Sequence, residues 1–85
     1  MPTIARFYGI TVFMNYNDHL PPHFHARYQD YEITMTIENG LLEGKMPRRA
    51  LQMIFVWSAK HKDELMDNWI RARSHESLLD IPPFI

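Results

Sequence analysis

His23-Phe24-His25-Ala26-Arg27-Tyr28-Gln29-Asp30-Tyr31-Glu32-Ile33-Thr34-Met35-Thr36-Ile37-Glu38 contains two apolar alternations that meet head to head. Phe24, Ala26 and Tyr28 alternate on the first arm, and Tyr31, Ile33, Met35 and Ile37 on the second, the period of half-buried strands. A two-residue turn at Gln29-Asp30 pairs Tyr28 with Tyr31, Ala26 with Ile33 and Phe24 with Met35, so all apolar side chains share one face. The opposite face then pairs Arg27 with Glu32, His25 with Thr34 and His23 with Thr36. Gln-Asp is a poor type I′ sequence, and a longer or bulged turn would shift this register. Asn39-Gly40 is a better turn signal and predicts Leu41-Leu42-Glu43 as a short strand beside the second arm.

Upstream, Ile10 to Tyr16 reads as a strand with Ile10, Val12, Met14 and Tyr16 on one face. Ile4 to Phe7 forms a short preceding strand, with Gly9 at the junction. Asn17 to Pro22 is a loop, because Asn-Asp favours turns and Pro21-Pro22 forces extended backbone. Downstream, Pro47 opens a helix. Arg48 to about Arg73 lacks Gly and Pro, and Leu51, Ile54, Ser58, His61, Leu65, Trp69 and Ala72 recur at helical steps facing the sheet. One continuous helix would be roughly 39 Å long, so a bend or break is expected near Lys60-His61-Lys62-Asp63. Leu78, Leu79, Ile81 and Phe84 of the tail are available to pack back. The fold expected is α+β: a small antiparallel meander sheet of three to five strands, covered on one face by a long or broken C-terminal helix.

At 85 residues the chain has room for one core and hence one domain over 1–85. A hydrophobic fraction of 46% excludes disorder, and nine Lys+Arg against ten Asp+Glu exclude global steering toward nucleic acid or acidic membranes. With no cysteine there is no disulfide, thiolate ligand or thiol nucleophile. No stretch approaches a membrane span or a signal peptide, so a cytoplasmic protein without membrane attachment is expected.

Asp18, His19, Pro21, Pro22, His23 and His25 form the segment with most chemistry. Imidazole titrates near neutrality and ligates divalent metals. His23 and His25 project to one strand face as an H-x-H pair, His19 can reach back from the loop as a third ligand, and Glu43 can approach from the strand beyond Thr36. His19, His23 and His25 are therefore a candidate zinc or nickel site. The plainer reading makes them polar residues on a solvated sheet face. Lys45, Arg48 and Arg49 gather at the helix N-terminus, where the dipole disfavours cations, so they want a carboxylate such as Glu43 or Glu38, or a bound anion such as phosphate or RNA. His61, Trp57 and Trp69 read first as core.

Met1 to Ile10, Tyr16-Asn17-Asp18-His19-Leu20-Pro21-Pro22-His23-Phe24-His25-Ala26, Glu43 to Leu51, His61 to Leu65 and Asn68-Trp69 together resemble the bacterial family called domain of unknown function 4160. The Asp-His-x-Pro-Pro-His-Phe-His-Ala block is the most specific part; Gln29 departs from the pattern, where glycine is usual. The resemblance implies no established activity or catalytic residue. It implies a small bacterial protein often encoded beside another small protein, an arrangement similar to toxin–antitoxin pairs. Two functions follow: a module that binds a small protein partner through the histidine segment and sheet edge, or a small histidine- or metal-dependent hydrolase or ribonuclease.

Overall fold

The computed structural model describes residues 2–85. Among them five strands, β1 (Thr3–Phe7), β2 (Ile10–Phe13), β3 (His23–Tyr28), β4 (Tyr31–Thr36) and β5 (Leu42–Lys45), precede two helices, α1 (Arg48–Lys60) and α2 (Lys62–Arg73). The strands form one antiparallel sheet in the order β1-β2-β3-β4-β5, a meander. No helix among the described residues is long and apolar enough to cross a membrane.

The β3–β4 hairpin takes the register that the alternation predicts, with Tyr28 opposite Tyr31, Ala26 opposite Ile33 and Phe24 opposite Met35. Gln29 alone of the two turn residues adopts a positive φ, +54°, the sign pattern of a II′ rather than a I′ turn. The tight connection is kept at the cost of strain in a side chain without glycine's freedom. Tyr8 and Gly9 join β1 to β2 with φ of +49° and +81°, both positive as a I′ turn requires. Gly44, at φ +100°, lets β5 approach β4 closely, since a Cβ there would lie 2.5 Å from the Glu32 carbonyl oxygen. The β4–β5 connection is wider than a two-residue Asn39-Gly40 turn: the Thr36 amide donates to the Leu41 carbonyl, and β5 runs to Lys45 rather than ending at Glu43.

Phe24, Ala26, Ile33, Met35 and Ile37 lie buried under the helices with Ile54, Trp57 and Leu65. Two expectations shift. The strand from Ile10 ends at Phe13, so Tyr16 is exposed on the following loop instead of sharing the core face. In α1 the buried row is Ala50, Ile54 and Trp57, with Leu51 and Ser58 only half-buried. That row is rotated slightly from the stripe read in sequence, because the large Trp57 indole takes the centre of the core.

The helix breaks at His61, whose φ of −112° ends α1 and begins α2. His61 is buried, and its Nδ1 pairs with Glu64, so it is a hydrogen-bonded core residue. The tail returns as expected. Buried Asn68 pairs both ways with the Leu79 backbone at 2.8 Å, the Trp57 indole N–H donates to the Pro82 carbonyl, and the Ile81 amide donates to the Ile4 carbonyl.

Candidate functional site

The sheet face opposite Phe24 and Ala26 is not simply solvated. The Asn17–Pro22 loop, which contains a cis Leu20–Pro21 bond, folds against the start of β3 and inserts Asp18 between two imidazoles. Asp18 Oδ2 lies 3.0 Å from His23 Nε2 and 2.9 Å from His25 Nε2, while Oδ1 accepts from the His19 amide at 2.9 Å. Partial burial pushes the Asp18 carboxyl up, but the hydrogen bonds from His25 and the His19 amide, with the charges of His23 and His25, outweigh it and bring the carboxyl down to about 2. His23 is 5% exposed and packs against Trp69, with ring centroids 5.3 Å apart. Phe13, buried on this same face, stacks on His25 at 5.0 Å, and the Arg27 guanidinium lies over Phe13.

The outer nitrogens of the two rings differ. His23 Nδ1 sits 2.9 Å from the Pro21 carbonyl oxygen, which can only accept, so that nitrogen carries a proton. Among the described residues His25 Nδ1 is buried without a hydrogen-bond partner, 3.7 Å from Glu32 Oε2. Arg27 holds the other Glu32 oxygen through Nε at 3.2 Å and Nη2 at 2.9 Å. The rings open onto a cleft of about 500 Å³ whose walls include His19, Thr34, Thr36 and Glu43. Asp18, His23 and His25 bring one ligand-type atom each within 4.8 Å of one another.

A family model described as "Domain of unknown function (DUF4160)" matches residues 9–70. The chain belongs to the DUF4160 family. No curated protein and no solved structure matches it. In this DUF4160 domain the match takes in the whole Asp18–His25 loop, Glu32 and Glu43.

The DUF4160 structure brings Asp18, His23 and His25 together and leaves His19 at the rim. The His19 ring stacks on His23 at 5.0 Å, but its side chain is 81% exposed and its Nε2 is 3.8 Å from Asp18 Oδ1. Pro21 contributes its carbonyl to His23, and the Pro22 carbonyl accepts from the Ile37 amide, tying the loop to the end of β4. Glu43 stands opposite Thr34 on the cleft face. The basic residues are exposed and divided: Lys45 is opposite Glu32 in the sheet, whereas Arg48 lines a groove between β5 and α1. Among the described residues none of Lys45, Arg48 and Arg49 makes an ion pair, with Glu43, Glu38 or any other carboxylate, and the first turn of α1 has no acidic residue.

Glu32, Phe13 and Trp69 were not read from the sequence as part of this site. The hairpin register contains the signal for Glu32, since it puts Glu32 on the face of His25, one pair along. Phe13 could be found from β2 beside β3, where it stands opposite His25. Trp69 has no such local signal, because its place beside His23 depends on how α2 turns at His61.

Proposed function

We propose that this domain is a small hydrolase acting through the Asp18–His23–His25 cluster on a ligand held in the adjoining cleft. One observation carries the reading: two sheltered imidazoles share a single carboxylate oxygen at the wall of a cavity large enough for a small molecule. A carboxylate so placed orients imidazole and offsets the positive charge it gains on accepting a proton. With its proton on Nδ1 beside Glu32, His25 takes a proton from water on Nε2 as the water oxygen bonds to the substrate's acyl carbon, and returns it from Nε2 to the leaving group as that bond breaks, while His23, held by Pro21 and Asp18, keeps the carboxylate in place. The cleft wall carries Glu43, while Lys45 and Arg27 on the same sheet face stand across from Glu32, outside the cleft lining, so a carboxylic ester or amide suits it better than the phosphodiester of RNA.

The test is turnover of an activated acyl ester and an activated phosphodiester by the purified domain. Ester cleavage should exceed the phosphodiester reaction and fall roughly 10²-fold or more in His23→Gln and His25→Gln. Rates equal to buffer on both substrates would end this reading.

A second reading, a module of a toxin–antitoxin-like pair, is favoured by a different region. α1 presents Phe55 and Val56, 56% and 58% exposed, beside Leu42, and Arg48 lies at the edge of their groove. Its occupant would be a small acidic protein, because Arg48 at its edge and the neighbouring Arg49 make no ion pair among the described residues. Co-expression with small acidic proteins encoded at its own locus should give a complex that Phe55→Ser weakens at least tenfold, about 1.4 kcal/mol, and no complex with any of them would remove the reading. A complex indifferent to Phe55→Ser would remove this surface.

A further inference from the structure

We propose that Asp18, His23 and His25 bind one divalent first-row transition ion of the zinc or nickel kind, facing the cleft. This adds a cofactor to the histidine-dependent site proposed above, rests on the same Asp18 cluster, and draws besides on the outer nitrogens of the two rings. The ligand set differs from the three histidines read in the sequence: the Asp18 carboxylate converges with the two rings, and His19 remains outside at the mouth.

The first observation is the hydrogen-bond arithmetic of His23. Nδ1 faces the Pro21 carbonyl and Nε2 faces the Asp18 carboxylate, two groups that only accept. Without an ion, the ring needs both protons to satisfy them. With an ion, Nδ1 keeps its proton for Pro21 and the Nε2 lone pair binds metal, the arrangement in which a backbone carbonyl fixes the tautomer of a ligating histidine.

The second observation is the unpaired His25 Nδ1. If His25 Nε2 donates its proton to Asp18, Nδ1 is a buried lone pair with no donor. If Nε2 binds an ion, the proton moves to Nδ1, and the free Oε2 of Glu32 waits 3.7 Å away as its acceptor. Arg27 holds Glu32 by the other oxygen, so a small rotation closes the contact and completes a carboxylate–histidine–metal relay. Asn15 Nδ2 also approaches His25 Nε2, at 3.4 Å, which suits a lone pair on that nitrogen.

The third observation is spacing. Ligand atoms about 2.1 Å from an ion stand about 3.0 Å apart at the roughly 90° angles of a square-planar or octahedral nickel and about 3.4 Å apart at the tetrahedral angle of zinc, which a small opening of the cluster would reach. Asp18 Oδ2 is 3.0 Å and 2.9 Å from the two imidazole nitrogens. Two nitrogens and one carboxylate suit transition ions, whereas calcium and magnesium prefer oxygen. Phe13 and Trp69 back the rings, and the cleft side is free for water and a substrate oxygen.

The experiment titrates the purified domain with zinc, nickel and, as a control, magnesium by calorimetry. Zinc or nickel should bind at one site with Kd below ~10 μM and magnesium should not. His23→Ala with His25→Ala should weaken binding at least ~100-fold, Glu32→Gln ~10-fold, and His19→Ala less than about threefold. Affinity weaker than ~100 μM for both ions, or affinity retained in the double variant, overturns the site. A readout on the unsubstituted protein avoids any folding defect of the variants: zinc should move the ring ¹⁵N resonances of His23 and His25, and shifts confined to His61 or His75 overturn the assignment. Ester cleavage without metal binding removes this inference and leaves the histidine acid–base reading. Metal binding without cleavage does the reverse.

Discussion

The two faces of the sheet bury side chains by different means, and β3 contributes to both. Toward the helices, Phe24 and Ala26 sit among Ile33, Met35, Ile54 and Trp57, where contact is apolar and non-directional. On the other face His23 and His25 are sheltered almost as well, but their burial depends on Asp18, the Pro21 carbonyl and aromatic neighbours in fixed positions. A hydrophobic face tolerates small shifts, whereas a buried polar face is stable only while its partners stay paired. Apolar packing thus concentrates on one side of a single strand and a paired polar cluster on the other.

Two changes on this strand and its loop test that contrast. Phe24→Ala removes a fully buried ring beside Trp57 and should cost about 3–5 kcal/mol, read from the urea midpoint with an unchanged slope. A loss under about 1.5 kcal/mol would place the stabilising core elsewhere.

Asp18→Asn should cost less, about 1–3 kcal/mol near neutral pH, since it replaces charge-assisted bonds by neutral ones. The pH dependence has a definite sign. The folded carboxyl titrates at about 2 against an ordinary 3.8, so the unfolded chain binds the proton first. Its contribution is present above about 3.8 and is lost as pH falls toward 2. Urea midpoints of the two proteins should converge over that window, and a constant gap would show that Asp18 contributes by shape and not charge.

How much of this was legible in the sequence varies by element. The β3–β4 register followed from Phe24, Ala26, Ile33 and Met35 alone, because slipping by one residue would turn all of them to the cleft face. The break near His61 was readable from the polar run Lys60 to Asp63. The site was legible as a segment but not as a geometry. Whether Asp18 or His19 converges on the two rings depends on the path of the loop, where Asn17 takes a φ of +58°. Alternation cannot report that path. Nor could it show that the face of His23 and His25 is sheltered, since the cover comes from Phe13 and Trp69 at distant positions. The end of the strand at Phe13 was hidden because Met14 continues the alternation and is itself buried.

The return of the tail to Ile4 gives the sheet a direction. Ile81 donates its amide to the Ile4 carbonyl of β1, while β5, at the opposite margin, is exposed along its length. Open-ended stacking of sheets into a fibre requires an available margin on both sides of every molecule. Here the chain's own segment after α2 takes the Ile4 carbonyl of one margin, so strand pairing is easier at β5, where two molecules can join back to back, than at β1. The residues after α2 thus shield part of one margin, at the side farthest from the free edge of β5.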